Sequence, residues 1–214
     1  MLRLIPVLVL ALGLSACANG QTDLQKPAEP IGDFKLGHAI VVAPNIVEGP
    51  VSRNATAEEW IASVDTALEE RFRRQDGDKF YHLGVSVEGF VLAQPGIPLV
   101  FSPKSALIVR VTAWDDAAQK KLNDTPEEIT VLESFSAETV VGSGVTQSRE
   151  QQMRNLSANM ALQIEKWMRR MQKNEGWFGG PDAGKRSSEE ASEPAEVAGS
   201  ADSPQAPAAP GRGA

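Results

Sequence analysis

Hydrophobic positions along this chain change period several times, and each change marks an element. Trp60, Ile61, Val64, Leu68 and Phe72 recur at i, i+3, i+4 spacing, while Glu58, Glu69, Glu70, Arg71, Arg73 and Arg74 fill the remaining positions. One apolar stripe on a charged segment is the pattern of an amphipathic helix. Thr56 stands ahead of it with Glu59 three residues on, a capping box in which each side chain satisfies a backbone N–H of the other. With Gly77 as the stop, the pattern predicts a helix over Ala57 to Gln75. A second stripe, Met153, Leu156, Met160, Ile164, Trp167 and Met171, follows Ser148 with Gln151 at the third helical position, and predicts a helix from Arg149 to Gln172.

Between these helices the period falls to two. In Phe80 to Ala93 (FYHLGVSVEGFVLA) the alternation puts Tyr81, Leu83, Val85, Val87 and Val91 on one face, and His82, Ser86, Glu88, Phe90 and Leu92 on the other. Ser105 to Trp114 behaves alike, with Leu107, Val109, Val111 and Ala113 inward and Ile108, Arg110, Thr112 and Trp114 outward. The intervening QPGIPLVFSPK holds three prolines, so the pair reads as a hairpin with a long connection. Asp115 to Glu128 reads as a polar loop. Ile129 to Val141 forms a further strand, bent near Ser136 and ended by Gly142-Ser143-Gly144. Ahead of the first helix, His38 to Val47 is a β-branched run broken by Pro44, which predicts a strand of about six residues ending near Ala43.

The order is therefore β-α-β-β-β-α. Two helices with single apolar stripes can both be buried against one face of a mostly antiparallel sheet of about four strands, an α+β two-layer sandwich. The other face of the sheet is left open.

The ends of the chain do not share these periods. Arg3 and the apolar stretch Leu4 to Leu14 have the charge and length of a signal peptide, too short to span a bilayer. Asn19 to Gly32 is polar with two prolines, and reads as a flexible tether. Beyond Gly176 a Trp177-Phe178 pair gives way to Pro, Ala, Gly, Ser and Glu, which bury too little to offset the entropy of ordering. The predicted division is a signal over 1–16, a modified cysteine and tether over 17–33, one domain over 34–175 and a disordered tail over 176–214.

The 214 residues include a single cysteine, Cys17, so no disulfide can form within the chain. It closes the sequence Leu14-Ser15-Ala16-Cys17, in which a hydrophobic residue and two small ones precede the cysteine directly after the apolar stretch. This resembles the lipobox of bacterial lipoproteins. The resemblance implies diacylglyceryl transfer to the Cys17 thiol, cleavage before Cys17 and acylation of the new amino terminus. Two or three acyl chains anchor a protein stably where one does not. In that family Ala18, rather than Asp, after the cysteine implies sorting to the outer membrane, with the domain in the periplasm. The lipobox, the tether, the element order and a GSG turn opening the last helix also resemble small uncharacterised envelope lipoproteins, chiefly alphaproteobacterial. The architecture is similar, in element order alone, to lipoproteins that plug or support outer-membrane assembly and transport machines.

A formal net charge of −7 removes nucleic acid from the partners, since phosphate binding needs clustered Lys and Arg. Candidate chemistry is sparse. The two histidines, His38 and His82, have no Cys or His at metal-ligand spacing, and a lone His lacks the orienting partner that catalysis needs. Asp115-Asp116 reads as a turn cap through its carboxylates. Gly142-Ser143-Gly144 lacks the lysine of a phosphate-cradling loop. No metal, cofactor or catalytic residue is assigned. Surface offers more: Ile97, Leu99, Val100 and Phe101 are bulky residues in the proline-rich loop, and Phe90, Leu92, Ile108 and Trp114 fall opposite the predicted core. If exposed, they mark a partner or lipid contact, and the partner expected is an envelope protein complex. The expected function is a non-enzymatic binding or assembly module, held to the membrane through acyl chains on Cys17. The alternative is a periplasmic enzyme with a site built from distant residues, or a small-ligand binder.

Overall fold

Both predicted capping boxes form. In the computed structural model, which describes residues 20–94, 105–133 and 147–179, the Glu59 N–H donates to Thr56 Oγ1 and the Thr56 N–H to Glu59 Oε2. Ser148 and Gln151 repeat the exchange. The described elements are α1 (Gly20–Asp23), β1 (Phe34–Val42), β2 (Val47–Glu48), α2 (Ala57–Phe72), β3 (Lys79–Val91), β4 (Ala106–Asp115), β5 (Lys120–Lys121), β6 (Glu127–Leu132) and α3 (Arg149–Glu175). Gly176 ends α3 at φ 67°, a left-handed conformation that glycine adopts without strain.

The α+β sandwich stands as predicted, with a correction to the sheet. It is mixed: β1 and β2 both run parallel to β3, while β3, β4 and β6 are antiparallel neighbours. The reason lies in the order of elements, because α2 is the crossover that a parallel pair requires between β1 and β3. Short β2 continues the β1 edge and short β5 continues the β6 edge. β1 starts at Phe34, earlier than predicted, because Phe34 and Leu36 already alternate into the core ahead of the β-branched run.

The core lies between the sheet and the two helices. Tyr81, Leu83, Val85 and Val87 of β3 and Leu107, Val109, Val111 and Ala113 of β4 meet Trp60, Val64, Leu68 and Phe72 of α2 and Leu156, Met160, Ile164 and Trp167 of α3. Beyond Val87 the sequence reading fails. The pairing passes from Val87 opposite Val109 to Gly89 opposite Ile108, leaving Glu88 as an extra residue. Such a bulge reverses the inside-outside phase of everything after it. Phe90 and Leu92, predicted on the open face, are therefore in the core, where Phe90 meets Trp60 at 5.2 Å between ring centroids, and Val91 turns outward.

Residues predicted as tether and tail pack on this sandwich. Gly20 and Ile31 are buried, and Arg71, Arg74, Gln75 and Arg169 donate to the carbonyls of Gly20, Lys26, Glu29 and Pro30. Gly20 to Ile31 thus forms a strap over both helices. At the other end Phe178 is fully buried against Phe34 and Tyr81.

Candidate functional site

The sheet face turned away from the helices is uncovered by any described residue, and its register shows what it presents. Ile40, Gly84 and Thr112 form one cross-strand row. Val42, Ser86, Arg110 and Glu128 form the next, closed by an Arg110–Glu128 pair at 3.4 Å. His82, Trp114 and Lys121 form a third. Ile40 is 62% exposed and Val42 45% on edge strand β1, Leu132 56% on edge strand β6 and Phe80 49% at the start of β3, so large apolar side chains stand in solvent at both edges and at one end of the sheet. Gly84 makes the middle shallow: a Cβ there would meet nothing nearer than the Thr112 carbonyl oxygen at 3.9 Å. Ile108 and Trp114 lie half-buried on this face as predicted. Ile97, Leu99, Val100, Phe101, Cys17 and the Gly142-Ser143-Gly144 turn lie outside the described residues.

The structure also assembles a group that the sequence kept apart. His82 Nε2 lies 3.0 Å from Asp116 Oδ1, and the His38 ring stacks on the His82 ring at 5.2 Å between centroids. His82 Nδ1 accepts the backbone N–H of His38 at 3.0 Å, which leaves Nε2 to carry the proton donated to Asp116. Both ring nitrogens are therefore engaged. The His38 N–H belongs to a bulge in β1, where pairing jumps from Leu36–Tyr81 to Ala39–Leu83, and His82 supplies its acceptor. Gly37 makes room, since a Cβ there would stand 2.5 Å from His82 Cε1. The arrangement braces the bulge. Asp115 accepts from the Ala118 N–H, the turn-capping role predicted for it. Among the described residues no group of three or more His, Cys, Asp or Glu is placed to hold a metal ion.

A second concavity lies between α2 and α3, a groove of about 400 Å³ lined by Gln21, Thr66, Glu70, Met153, Arg154 and Ala158 among others. Glu59 and Arg149 close one end through two hydrogen bonds of 2.5 and 2.8 Å. The Arg149 guanidinium holds the Glu59 carboxyl below the usual carboxylate range. Beside the groove Arg71, buried on α2, donates to Asp23 at 3.1 Å, to Glu165 at 2.6 Å and to the Gly20 carbonyl at 2.7 Å. Burial raises the Asp23 pKa, and the hydrogen bonds from Lys26 and Arg71 outweigh it, so the carboxyl titrates below its ordinary value.

The chain matches no family model and no curated protein. Among solved structures it is similar to the PelC dodecamer from Paraburkholderia phytofirmans, with 12% identity over 63% of this chain and 91% of that one and a TM-score of 0.32. It is similar to a Xanthomonas campestris protein of the DUF330 family, with 17% identity over 66% and 93% and a TM-score of 0.36. A minor lipoprotein from Acinetobacter baumannii shows 16% identity over 59% and 92%, with a TM-score of 0.28.

Proposed function

We propose that this chain is a lipid-anchored protein of the bacterial cell envelope, acylated at Cys17 and held at the outer membrane with its domain in the periplasm. It works without catalysis, as a binding or assembly module, and takes a partner protein on the open sheet face. The observation that carries the binding reading is the surface around Gly84. Scattered apolar residues need no explanation, but here Ile40, Val42, Phe80, Ile108, Trp114 and Leu132 fall on one side of one sheet. Apolar side chains interspersed with Arg110, Glu128 and Lys121 give this face both the apolar area and the polar groups that a protein interface uses. The His82–Asp116 pair, the nearest approach to an acid-base site, is spent on bracing β1.

The anchor reading rests on the Leu14-Ser15-Ala16-Cys17 sequence behind an apolar stretch. Cys17→Ala removes the thiol that would receive the lipid, and the variant should pass from the detergent phase to the aqueous phase on partitioning. Equal retention of variant and parent defeats it. For the partner face, Gly84→Arg fills the depression with a charged side chain that the fold has room for. Its melting should stay within about 0.5 kcal/mol of the parent, while crosslinks from a photoreactive residue at Thr112 to an envelope protein disappear. Crosslinks that survive in the folded variant place the partner elsewhere.

A further inference from the structure

The seat of the strap sets which side of the domain an anchor at Cys17 can hold to a membrane. Gly20 lies so close to α3 that a Cβ would stand 2.2 Å from the Ala158 carbonyl oxygen and 2.7 Å from the Asn159 nitrogen. Its N–H donates to Asn159 Oδ1 at 2.6 Å, and its carbonyl accepts from Arg71. Ala158 is two residues from both Leu156 and Met160, core residues that face the sheet, and so lies on the opposite side of the helix. The strap therefore begins on the outward side of the helical layer. Cys17 precedes Gly20 by three residues, which reach at most about 11 Å when fully extended.

We infer that the helical layer, with the groove between α2 and α3, is the face held against the lipid surface, and that the open sheet face is turned away from it. This rests on the reading of Cys17 as acylated. The charges of this layer are mixed, because Glu59, Glu70 and Glu150 line the groove beside Arg149 and Arg154, so the orientation rests on the seat of the strap. Arg154 stands one turn before Ala158 on the same side of α3, lines the groove and joins no ion pair among the described residues. Lys166 and Arg170, further along α3, are exposed and likewise join none of these pairs. An anionic bilayer draws these cations and repels the groove's three glutamates. With a free tether of 16 residues the domain could present any face. With a seated strap it cannot, and the sheet face stands at least a helix diameter, about 10 Å, farther out.

The test uses the full chain, acylated at Cys17, in vesicles of phosphatidylethanolamine and phosphatidylglycerol with a nitroxide on a fraction of the headgroups. A fluorophore is placed on Thr66→Cys, beside the groove, or on Thr130→Cys, on the open sheet face. Both sites are exposed in the folded chain. Quenching several-fold stronger at position 66 than at position 130 is expected. Gly20→Leu, which cannot keep the close approach to Ala158, should bring the two values together while the acyl mass at Cys17 is unchanged. Equal quenching in the acylated parent, stronger quenching at position 130, or an asymmetry untouched by Gly20→Leu overturns the orientation alone. A chain without acyl mass at Cys17 overturns the anchor reading and the orientation with it.

Discussion

Phe178 stands edge-on to Tyr81, with ring centroids 4.9 Å apart and planes at 87°. Phe34 completes the cluster, stacked on Tyr81 at 5.7 Å and edge-on to Phe178 at 5.2 Å. The segment after α3 is thus a clasp, its backbone joined to the strap end by the Asp33 N–H donating to the Phe178 carbonyl. The sequence alone reads residues 176–214 as a disordered tail that adds nothing to stability, and the burial of Phe178 reverses that expectation. Truncation after Lys173, or Phe178→Ala in the full chain, should cost about 3 to 5 kcal/mol, the range for a buried aromatic cut to alanine. Urea unfolding of the three chains decides it, and equal midpoints would return Phe178 to solvent.

Tyr81 offers a second test of the same cluster. Burial, with smaller contributions from the Asp115 and Asp33 carboxylates, pushes its phenol up to about 12. In the unfolded chain the phenol ionises near 10. Below pH 10 both states are neutral and the full stability is present. Between about 10 and about 12 the unfolded state loses its proton first, so stability falls as pH rises through this window. Since the chain has one tyrosine, ultraviolet titration reads Tyr81 alone. A native midpoint equal to that in urea removes the burial argument.

Arg71 locks the strap. Its side chain is 3% exposed between Asp23 and Glu165. Arg71→Met leaves the Gly20 carbonyl without its donor and takes one of two cations from each carboxylate, Asp23 keeping Lys26 and Glu165 keeping Arg169, so it should cost about 1 to 3 kcal/mol. Glu165→Gln should cost less in the Arg71→Met background than in the parent, because the two residues share one network. Strictly additive losses in this double-mutant cycle would mean that Arg71 and Glu165 are not coupled.

Two tryptophans should respond in opposite ways. Trp167 is 2% exposed and meets Trp177 edge-on at 5.3 Å, so Trp167→Ser should cost about 3 to 5 kcal/mol. Trp114 stands half-buried on the open face beside His82, and Trp114→Ser should cost no more than about 1 kcal/mol. Its effect belongs instead to partner binding, where a desolvated aromatic contributes most. Melts by circular dichroism separate the two, and equal losses would place Trp114 in the core.

The parts legible in the sequence are those whose cause is local. Thr56 with Glu59, and Ser148 with Gln151, carry their capping geometry in a spacing of three. The alternation of β4 is uninterrupted, and every outward residue assigned to it is outward. In β3 the cause is pairing: Glu88 is extra only relative to Ile108 on another strand, and the single local sign was a glycine in a strand interior, Gly89. Phe90 and Leu92 were misplaced for that reason. The strap left no trace because it is held by its backbone. Its carbonyls accept from Arg71, Arg74, Gln75 and Arg169, so its own side chains need no period. His82 and Asp116 are 34 positions apart and meet only through the sheet.

The strap also imposes an order in time. Gly20 is bonded to a residue 139 positions later, and Glu29 to one 140 positions later. A chain that emerges amino terminus first has no seat for these residues until nearly all of α3 has been made. At about 5 to 20 residues per second that delay is on the order of ten seconds. Throughout it, whatever acts on Cys17 meets a neighbouring segment with nothing to bind. Once Arg169 is out, the segment from Gly20 to Ile31 can be seated. If Cys17 is acylated as proposed, that interval is the time in which the modification meets an unseated segment, and a Gly20→Leu chain would prolong it past the end of synthesis.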